Sequence, residues 1–252
     1  MANLLQRFVK SPTSYLKRAP LYVSGVYFDI FVRRYNACGC SFRLPKGHTS
    51  KYERGHAYVH GYETAECLLA REFIPPGSTV LELGACIGVV SCLLNKRLSH
   101  PRRHVAVEAN PFIIPYLEEN RHANRCEFLI ENCIISDRSK VRFYVNQSMV
   151  LSGSQNPSGQ MIECVGTRIE ELERKHDLRF DFLVMDIEGA EYEVITNNLR
   201  YLKERIRGII LEKHPDVVGQ EKIQEYEGLL RDNGFEKIKT LGHVDFFRQG
   251  QA

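Results

Sequence analysis

The stretch TVLELGACIG, residues 79–88, decides the fold. An apolar strand that carries an acid leads into a turn with a glycine at each corner, and an apolar helix begins at Val89. Twenty residues past Gly88, a second apolar run ends in Glu108. A strand, a glycine turn, a helix, a strand and a terminal acid form a nucleotide-binding half-unit. Glycine lets the backbone approach a ligand closely, and Glu108 can accept two hydrogen bonds from a ribose diol.

Two cofactor classes use this arrangement, and the turn distinguishes them. Dinucleotide enzymes usually carry three glycines, G-x-G-x-x-G, whereas this turn has only Gly84 and Gly88. Glu82 precedes the turn by two residues, and a carboxylate there would repel a pyrophosphate but would suit a cationic ligand. The pattern therefore favours S-adenosylmethionine, which carries a sulfonium and an ammonium and no phosphate. The alternatives are a dinucleotide site and a strand-turn-helix that binds no ligand.

Composition indicates a globular protein with one sizeable core, or with a domain and an appendage, in 252 residues. No apolar run approaches the length of a membrane-spanning helix, and the N-terminus lacks the apolar core of a signal peptide. The eight cysteines form no C-x-x-C pair, and most lie in or beside apolar stretches. We therefore expect reduced thiols and a cytoplasmic protein.

Positive charge is concentrated in the first part of the chain. Residues 1–54 hold ten Lys or Arg and two acids, a balance of +8, and the rest of the chain holds 24 basic and 29 acidic residues, a balance of −5. Aromatic residues are interleaved with the basic ones, which is typical of segments that contact an anionic membrane or polyanion. The plainer interpretation, which we favour, is a set of helices that cover one end of the main domain. No nucleic-acid recognition motif accompanies the charge, so we expect no nucleic-acid partner.

The order of the segments predicts an α/β fold. Strands and helices alternate, so we expect a mostly parallel sheet with helices on both faces and the tips Glu82, Glu108 and Asp186 at one edge, where ligands bind. We predict a basic, mainly helical extension over residues 1–57 and a Rossmann-like domain over residues 58–252. The expected strands are 79–83, 104–108, 126–135, 141–145, 161–165, 181–186 and 206–211, followed by an antiparallel hairpin of 235–240 and 244–248.

A second informative stretch is DFLVMDIEGAE, residues 181–191, in which an apolar strand ends in Asp186 and further acids follow within one turn. Here the sequence resembles the FkbM family of S-adenosylmethionine-dependent methyltransferases. Four stretches match motifs of that family: G-Y-E at 61–63, G-A-x-x-G at 84–88, D-x-E-G-A-E at 186–191 and E-x-H at 212–214.

The resemblance covers roughly residues 58 to 248 and implies the class I methyltransferase sheet, with S-adenosylmethionine as cofactor. Two departures stand out. Glu82 occupies a position where Asp is more usual, and Cys86-Ile87 stands where Asn-Ile is common. Neither departure removes a chemical group that the site needs.

The resemblance also implies which residues bind the cofactor, from its methionine end to its adenine. They are Tyr62 and Glu63 lining the methionine end, Glu82 facing the ammonium directly or through water, Gly84, Ala85 and Gly88 presenting backbone, Glu108 on the ribose hydroxyls, Asn132 and Cys133 at the adenine edge, and Asp186 at the neighbouring strand tip.

Methyl transfer is an in-line displacement, for which the protein aligns the nucleophile and excludes water. A hydroxyl nucleophile also benefits from a base, or from a metal that lowers its pKa. His214 is the first candidate for the base, because imidazole titrates near neutral pH and His214 lies two residues from Glu212 at a strand end. Asp186 and Glu188 are the other catalytic candidates. These four residues could hold a divalent cation, but we expect no metal.

The sequence therefore predicts an S-adenosylmethionine-dependent O-methyltransferase with a hydroxyl-bearing acceptor. We favour a sugar or glycoconjugate hydroxyl, because the basic and aromatic residues 1–54 could reach an anionic or membrane-linked acceptor. They are also the candidate for a peripheral contact with an anionic membrane. The alternatives are a polyketide or other small natural product as acceptor, and a non-catalytic or NAD(P)-binding Rossmann protein. The sequence does not give the oligomeric state.

Overall fold

The computed structural model describes residues 12–32, 34–146, 152–154 and 159–250, with side chains from residue 20 onward. The basic segment 1–54 therefore lies partly outside the described residues. Each of the eight cysteines is described, and each is free. Among the described helices, none is both long enough and apolar enough to cross a membrane.

Helices and strands alternate along most of the described chain. The helices are α1 (Pro12–Tyr27), α2 (Lys51–His60), α3 (Thr64–Phe73), α4 (Val89–Arg97), α5 (Ile114–Ala123), α6 (Ile169–His176), α7 (Glu191–Arg205), α8 (Pro215–Val218) and α9 (Gln220–Asp232), and a π-helical turn (Phe28–Val32) extends α1. The strands are β1 (Tyr35–Ala37), β2 (Cys40–Phe42), β3 (Val80–Leu83), β4 (His104–Val107), β5 (Leu129–Glu131), β6 (Ile134–Ile135), β7 (Lys140–Val145), β8 (Gln160–Thr167), β9 (Phe182–Met185), β10 (Gly208–Glu212), β11 (Phe235–Leu241) and β12 (Val244–Gln249).

Seven strands form the main sheet, in the spatial order β11-β12-β10-β9-β3-β4-β5. The strands from β10 to β5 run parallel, and β12 pairs antiparallel with β10 and β11. The predicted α/β sheet and its C-terminal hairpin are therefore confirmed. Strand order reverses between β3 and β9, which is where open α/β sheets bind ligands. A separate three-stranded sheet has the order β6-β8-β7, and its strands come between β5 and β9 in the sequence.

The central strands are apolar because both of their faces are buried. Alternate residues of a strand point to opposite faces, so each strand contributes to two cores. On one face, Val80, Ala106 and Val184 pack with apolar residues of α3, α4 and α5. On the other, Leu81 and Leu183 pack with residues of α6, α7 and α9. The sheet is thus fixed between two helical layers.

The register of the sheet brings four chemically important positions together. Leu83 pairs with both Val107 and Met185, and Met185 also pairs with Leu211. The residues that follow these four along the chain therefore lie at one edge of the sheet. They are Gly84, Glu108, Asp186 and Glu212.

Two glycines let the N-terminal helices α1 and α2 pack on each other, and polar contacts join the N-terminal segments to the domain. A Cβ on Gly25 would lie 1.8 Å from the Lys51 carbonyl oxygen, and a Cβ on Gly55 would lie 1.8 Å from the Leu21 carbonyl oxygen. Only glycine allows α1 and α2 to approach this closely. Strand β2 in turn rests on α5, since the Ser41 N–H donates to Asn124 Oδ1 at 2.8 Å. Helix α2 runs across the boundary placed at residue 57, which stays a prediction.

The structure corrects one strand. Residues 126–135 form not one strand but two, β5 in the main sheet and β6 in the smaller one. The break contains Asn132, whose side-chain amide donates to the carbonyl oxygens of Glu108 (2.8 Å) and Ala109 (3.1 Å). These bonds tie the break to the end of β4, so the chain leaves the main sheet there.

Candidate active site

The turn after β3 brings the tips of two strands into contact. Gly84 has φ +86°, and a Cβ on it would lie 1.6 Å from the carbonyl oxygen of Asp186. Gly88, with φ +85°, is the N-cap residue of α4, and Cys86 between the two glycines has φ +46°. Any side chain at position 84 would therefore separate β3 from β9, quite apart from its contact with a ligand.

Glu108 is held by the backbone on both of its carboxylate oxygens. Its Oε2 accepts the Cys86 N–H at 2.8 Å, and its Oε1 accepts the Asn110 N–H at 2.7 Å. Burial raises the pKa of Glu108 to about 7, although these two bonds act in the opposite direction. Each oxygen keeps a further lone pair, so the carboxylate can still accept hydrogen bonds from a diol.

A pocket opens at the sheet edge between the turn and the smaller sheet. One wall is polar and includes Glu108, Asp186 and Glu188. An apolar part of the lining, which we call the apolar wall, is made by Ile113, Cys133, Ile134, Ile135, Val141 and Phe143. A polar edge beside an apolar slot suits a ligand with a ribose and an aromatic base.

Asn110 adds an unused donor to this pocket. The residue is 2% exposed, and its Oδ1 accepts the Phe112 N–H at 3.1 Å. Its Nδ2 is buried and has no hydrogen-bond partner among the described residues. A buried donor without a partner is costly, and a ligand acceptor in the pocket would satisfy it. The residues present therefore fit an adenosine-bearing cofactor.

Of the two residues expected at the methionine end of the cofactor, Tyr62 lines the pocket and Glu63 lies outside its lining. The Tyr62 hydroxyl donates to Cys86 Sγ at 3.4 Å, and Tyr62 lines the pocket. Glu63 accepts the Val90 N–H at 3.2 Å, so its carboxylate lies at the N-terminus of α4. Burial and then the charge of Asp186 raise the pKa of Glu63 well above its usual value.

Four other expected cofactor residues lie outside the pocket lining. Glu82 is 3% exposed and its Oε2 lies 2.9 Å from Nε2 of buried His104, so its carboxylate already has a partner in the core. Asn132 binds backbone carbonyls. Ala85 and Gly88 shape the turn without facing the pocket. The cofactor roles implied for these residues stay predictions, and the structure gives each of them a structural contact.

His214 stands among three carboxylates at the same edge. Its Nδ1 lies 3.0 Å from Oε1 of Glu191, and its Nε2 lies 3.3 Å from Oδ1 of Asp186 and 3.6 Å from Oε2 of Glu188. Glu191 is itself fully buried and also accepts the N–H groups of Ile187 and Gly189, both at 3.2 Å. The loop after β9 thus fixes the carboxylate that orients the imidazole.

This environment changes the expected protonation of His214. Burial lowers the pKa of the imidazole, but its hydrogen bonds to Asp186 and Glu191 outweigh burial and raise the pKa to about 11. The near-neutral pKa assumed in the sequence analysis was therefore wrong for the structure as it stands. At neutral pH the ring is an imidazolium that donates from both nitrogens and cannot accept a proton.

Further carboxyl groups surround this histidine, and we call the set Glu66, Asp186, Glu188, Glu191 and Glu212 the acid cluster. Burial raises the pKa of Glu66, Glu188 and Glu212, and in each case the charge of Asp186 adds to the rise. Like charges held together out of water favour the protonated form. Strongly perturbed groups of this kind concentrate at functional sites.

Three members of this region could also hold a metal ion. Asp186, Glu212 and His214 each offer one ligand atom, and these atoms lie within 4.8 Å of one another. Carboxylate oxygen and imidazole nitrogen are suitable ligands for divalent cations. The expectation that the reaction needs no metal stays a prediction.

Sequence reasoning gave no role to three residues of the site. Glu191 had a signal, since it ends the D-x-E-G-A-E motif. Glu66 lies in the first turn of α3, three residues after Glu63, which directly precedes the helix. Asn110 follows Glu108 by two residues and had no signal, because its role depends on an unpaired donor that only the packing reveals.

Comparison with known proteins gives one family match and several structural likenesses. The family described as "Methyltransferase FkbM domain" matches residues 82–237. An O-methyltransferase from Bacillus cereus in complex with SAH is 13% identical, with a TM-score of 0.48 over 76% of this chain and 84% of that chain. A methyltransferase from Pyrococcus furiosus is also 13% identical, with a TM-score of 0.48 over 93% of this chain and 98% of that chain. The comparison with curated proteins gave no match.

The family match spans the glycine turn, Glu108, the pocket's apolar wall and the acid cluster apart from Glu66. It covers well over half of the chain, which makes the reaction class and the cofactor those of the family. The dinucleotide-binding and non-catalytic alternatives are therefore set aside. The chain belongs to the FkbM methyltransferase family and is an S-adenosylmethionine-dependent methyltransferase.

Proposed function

We propose that this methyltransferase acts on oxygen, and that its acceptor is a hydroxyl of a sugar or glycoconjugate. S-adenosylmethionine, when bound, supplies the methyl group on its sulfonium. The observation that carries the proposal is the acid cluster. Its member Asp186 is in backbone contact with Gly84 of the cofactor turn, so the cluster lies next to the cofactor site. Hydroxyl donors match a site lined by carboxylate acceptors, and a sugar offers several of them at once.

The acceptor hydroxyl must lose its proton as its oxygen bonds to the methyl carbon. Glu188 and Asp186 both line the pocket and can receive that proton. We assign the role of base to Glu188, since burial and Asp186 raise its pKa toward the range that suits general-base catalysis at neutral pH. His214 then acts as a positioning residue, because its imidazolium holds Asp186, Glu188 and Glu191 in place.

The acceptor side of the site also has an apolar hollow. Leu44, Tyr52, His56 and Ala57 line it together with Tyr62, which also lines the cofactor pocket. An acceptor with an apolar portion beside its hydroxyl would fill this hollow. A lipid-linked saccharide has such a portion, and so does a polyketide, which remains the second candidate acceptor.

The test is a panel of soluble sugars, lipid-linked saccharides and polyketide alcohols, assayed for release of S-adenosylhomocysteine and for the methylated atom by mass spectrometry. We expect transfer to a saccharide oxygen. Transfer to nitrogen or carbon, or to polyketide alcohols alone, would contradict the proposal. Glu188→Gln should lower turnover by roughly 10²–10⁴-fold while leaving affinity for S-adenosylhomocysteine nearly unchanged. Glu204→Gln, on the exposed end of α7, is the matched control and should keep native turnover.

A further inference from the structure

Exposed apolar side chains are concentrated on one face of the N-terminal helices, which we call the aromatic face. They are Tyr22 (51% exposed), Val23 (66%), Tyr27 (50%), Ile30 (55%), Phe31 (69%), Tyr58 (43%) and Val59 (52%). These are seven of the thirteen large apolar side chains that are exposed in the described residues, so the apolar surface is gathered rather than scattered. Gathered apolar surface marks an interaction site.

Ring contacts make this face continuous across two helices. The ring centroid of Tyr27 lies 5.1 Å from that of Phe31 and 6.2 Å from that of Tyr58. Buried Phe28 lies 5.9 Å from Tyr58 and anchors the group from below. Residues of α1, of the π-helical turn and of α2 therefore form one surface.

The aromatic face is also held in place by the packing beneath it. Gly25 and Gly55 let α1 and α2 cross in backbone contact. Arg54, 4% exposed, donates from Nε and Nη2 to the two carboxylate oxygens of Asp29, both at 2.8 Å. A buried bidentate pair and a glycine crossing fix the geometry, so the exposed rings are not the frayed end of a helix.

Two described lysines lie beside this face. The Lys51 ammonium lies 5.4 Å from the ring centroid of Tyr22, and the Lys46 side chain is 60% exposed near Asp29. Residues 1–54 as a whole carry a balance of +8. Tyrosines and lysines around an apolar surface match the boundary between lipid headgroups and acyl chains, where anionic lipids attract basic side chains.

The face is close in the chain to a residue that lines the site. Val59 precedes Tyr62 by three residues, so their Cα atoms are at most roughly 11 Å apart. Tyr62 lines both the cofactor pocket and the apolar hollow. One end of the aromatic face is therefore joined by a short length of chain to a residue that lines both cavities.

We propose that the aromatic face docks on the surface of an anionic lipid bilayer. The docked enzyme takes its acceptor from that surface, and this second statement rests on the proposed function. Docking itself does not depend on the proposed function, because the aromatic face shares no residue with the cofactor pocket or the acid cluster. Binding to lipid and methyl transfer can therefore be measured separately.

The test is co-sedimentation of the full-length protein with phosphatidylcholine vesicles, with and without about 30% phosphatidylserine. We expect binding to the anionic vesicles alone, and loss of most of it in about 0.5 M NaCl. Phe31→Ser and Tyr27→Ser should each lower the bound fraction at least several-fold. Val165→Ser is the matched control, since Val165 is 61% exposed on β8, and it should bind as the native protein does.

Three results would overturn docking on anionic lipid. One is a folded protein that sediments with neither kind of vesicle, and another is equal binding to neutral and anionic vesicles. The third is a concentration-dependent dimer that Phe31→Ser abolishes in a protein that ignores vesicles, which would make the face an interface between two copies. A thermal shift with S-adenosylhomocysteine, unchanged in Phe31→Ser, shows that the variant is folded. Failure of the sugar panel alongside normal vesicle binding would reject the acceptor and keep the docking.

Discussion

The two halves of the active site treat negative charge differently. In the cofactor half, Glu108 is a single carboxylate, and backbone N–H groups hold both of its oxygens. In the acceptor half, five carboxyl groups surround one imidazolium, and the buried Oε2 of Glu191 makes no hydrogen bond in the described part of the chain.

The difference indicates how each half works. The cofactor half is rigid and nearly complete before its ligand binds, and pre-organisation of this kind favours tight binding. The acceptor half concentrates charge that the protein only partly satisfies. Burial raises the pKa of three of these groups, Glu66, Glu188 and Glu212, and such groups can exchange protons or hydrogen bonds with an acceptor. Binding and chemistry are thus divided between the two halves.

Breaking the contact between the halves should have the largest effect. Gly84→Ala places a Cβ 1.6 Å from the Asp186 carbonyl oxygen and adds an unfavourable φ, so we expect a loss of more than about 3 kcal/mol in the free energy of unfolding. Cofactor binding should be lost with it. Chemical denaturation and calorimetry measure both effects. Gly219→Ala is the control, since its φ is +82° but a Cβ on it would meet no atom within 4 Å, and it should cost about 1–3 kcal/mol from backbone strain alone. Equal losses in the two variants would show that strain, and not the strand contact, matters at position 84.

Removing the carboxylate of the cofactor half should have the next largest effect. Glu108→Ala should weaken binding of S-adenosylhomocysteine by about 1.5–3 kcal/mol, the usual value of hydrogen bonds to a charged group. Titration calorimetry measures the change, and Glu163→Ala, which removes an exposed carboxylate from β8, serves as the control. Native affinity in folded Glu108→Ala would remove this residue from the ribose site.

The pH dependence of cofactor binding by the native protein is a second test of the Glu108 carboxylate. Since burial raises the pKa of Glu108 to about 7, its acceptor form is lost as the pH falls below that value. Affinity for S-adenosylhomocysteine should therefore fall toward acid pH, by up to about tenfold per pH unit below 7. In Glu108→Gln this dependence should disappear. An identical pH profile in the two proteins would assign the titration to another group.

The smallest expected effect concerns Glu212 in the acid cluster. It tests whether the charge of this carboxyl group destabilises the fold or supports it. The pKa of Glu212 is raised, so the native state binds a proton that the unfolded state has released, and stability should fall as the pH rises above the usual Glu pKa. Glu212→Gln mimics the protonated acid. We expect a change below roughly 1 kcal/mol at pH 6 and a stabilising change at pH 9. Urea denaturation at both pH values measures it. A large loss at pH 6 would mean that Glu212 supports the fold as a carboxylate.

The parts of the site that the sequence predicted are those encoded locally. The turn from Gly84 to Gly88 and the acid Glu108 follow from a strand, a turn and a spacing of twenty residues. The family motifs added Tyr62, which lines the pocket. Sheet edges follow from parallel topology, so the meeting of Glu108 and Asp186 was also predictable.

The parts that the sequence could not give depend on contacts between distant segments. The pKa of His214 follows from Asp186 and Glu191, which arrive from another strand and helix. Glu82 was expected at the cofactor, but in the core it meets His104, and no motif reveals that histidine as its partner. The sequence also did not predict that α1 and α2 cross at Gly25 and Gly55, because a single glycine in a helix does not indicate which segment packs against it.

The contact between Gly84 and Asp186 has a consequence for how the two ligands influence each other. It joins the cofactor turn to the first acid of the acceptor half by backbone alone, with no flexible side chain between them. A displacement of either strand tip on binding is therefore passed to the other. Thermodynamic linkage then requires reciprocity: by whatever factor the cofactor alters affinity for the acceptor, the acceptor alters affinity for the cofactor by the same factor.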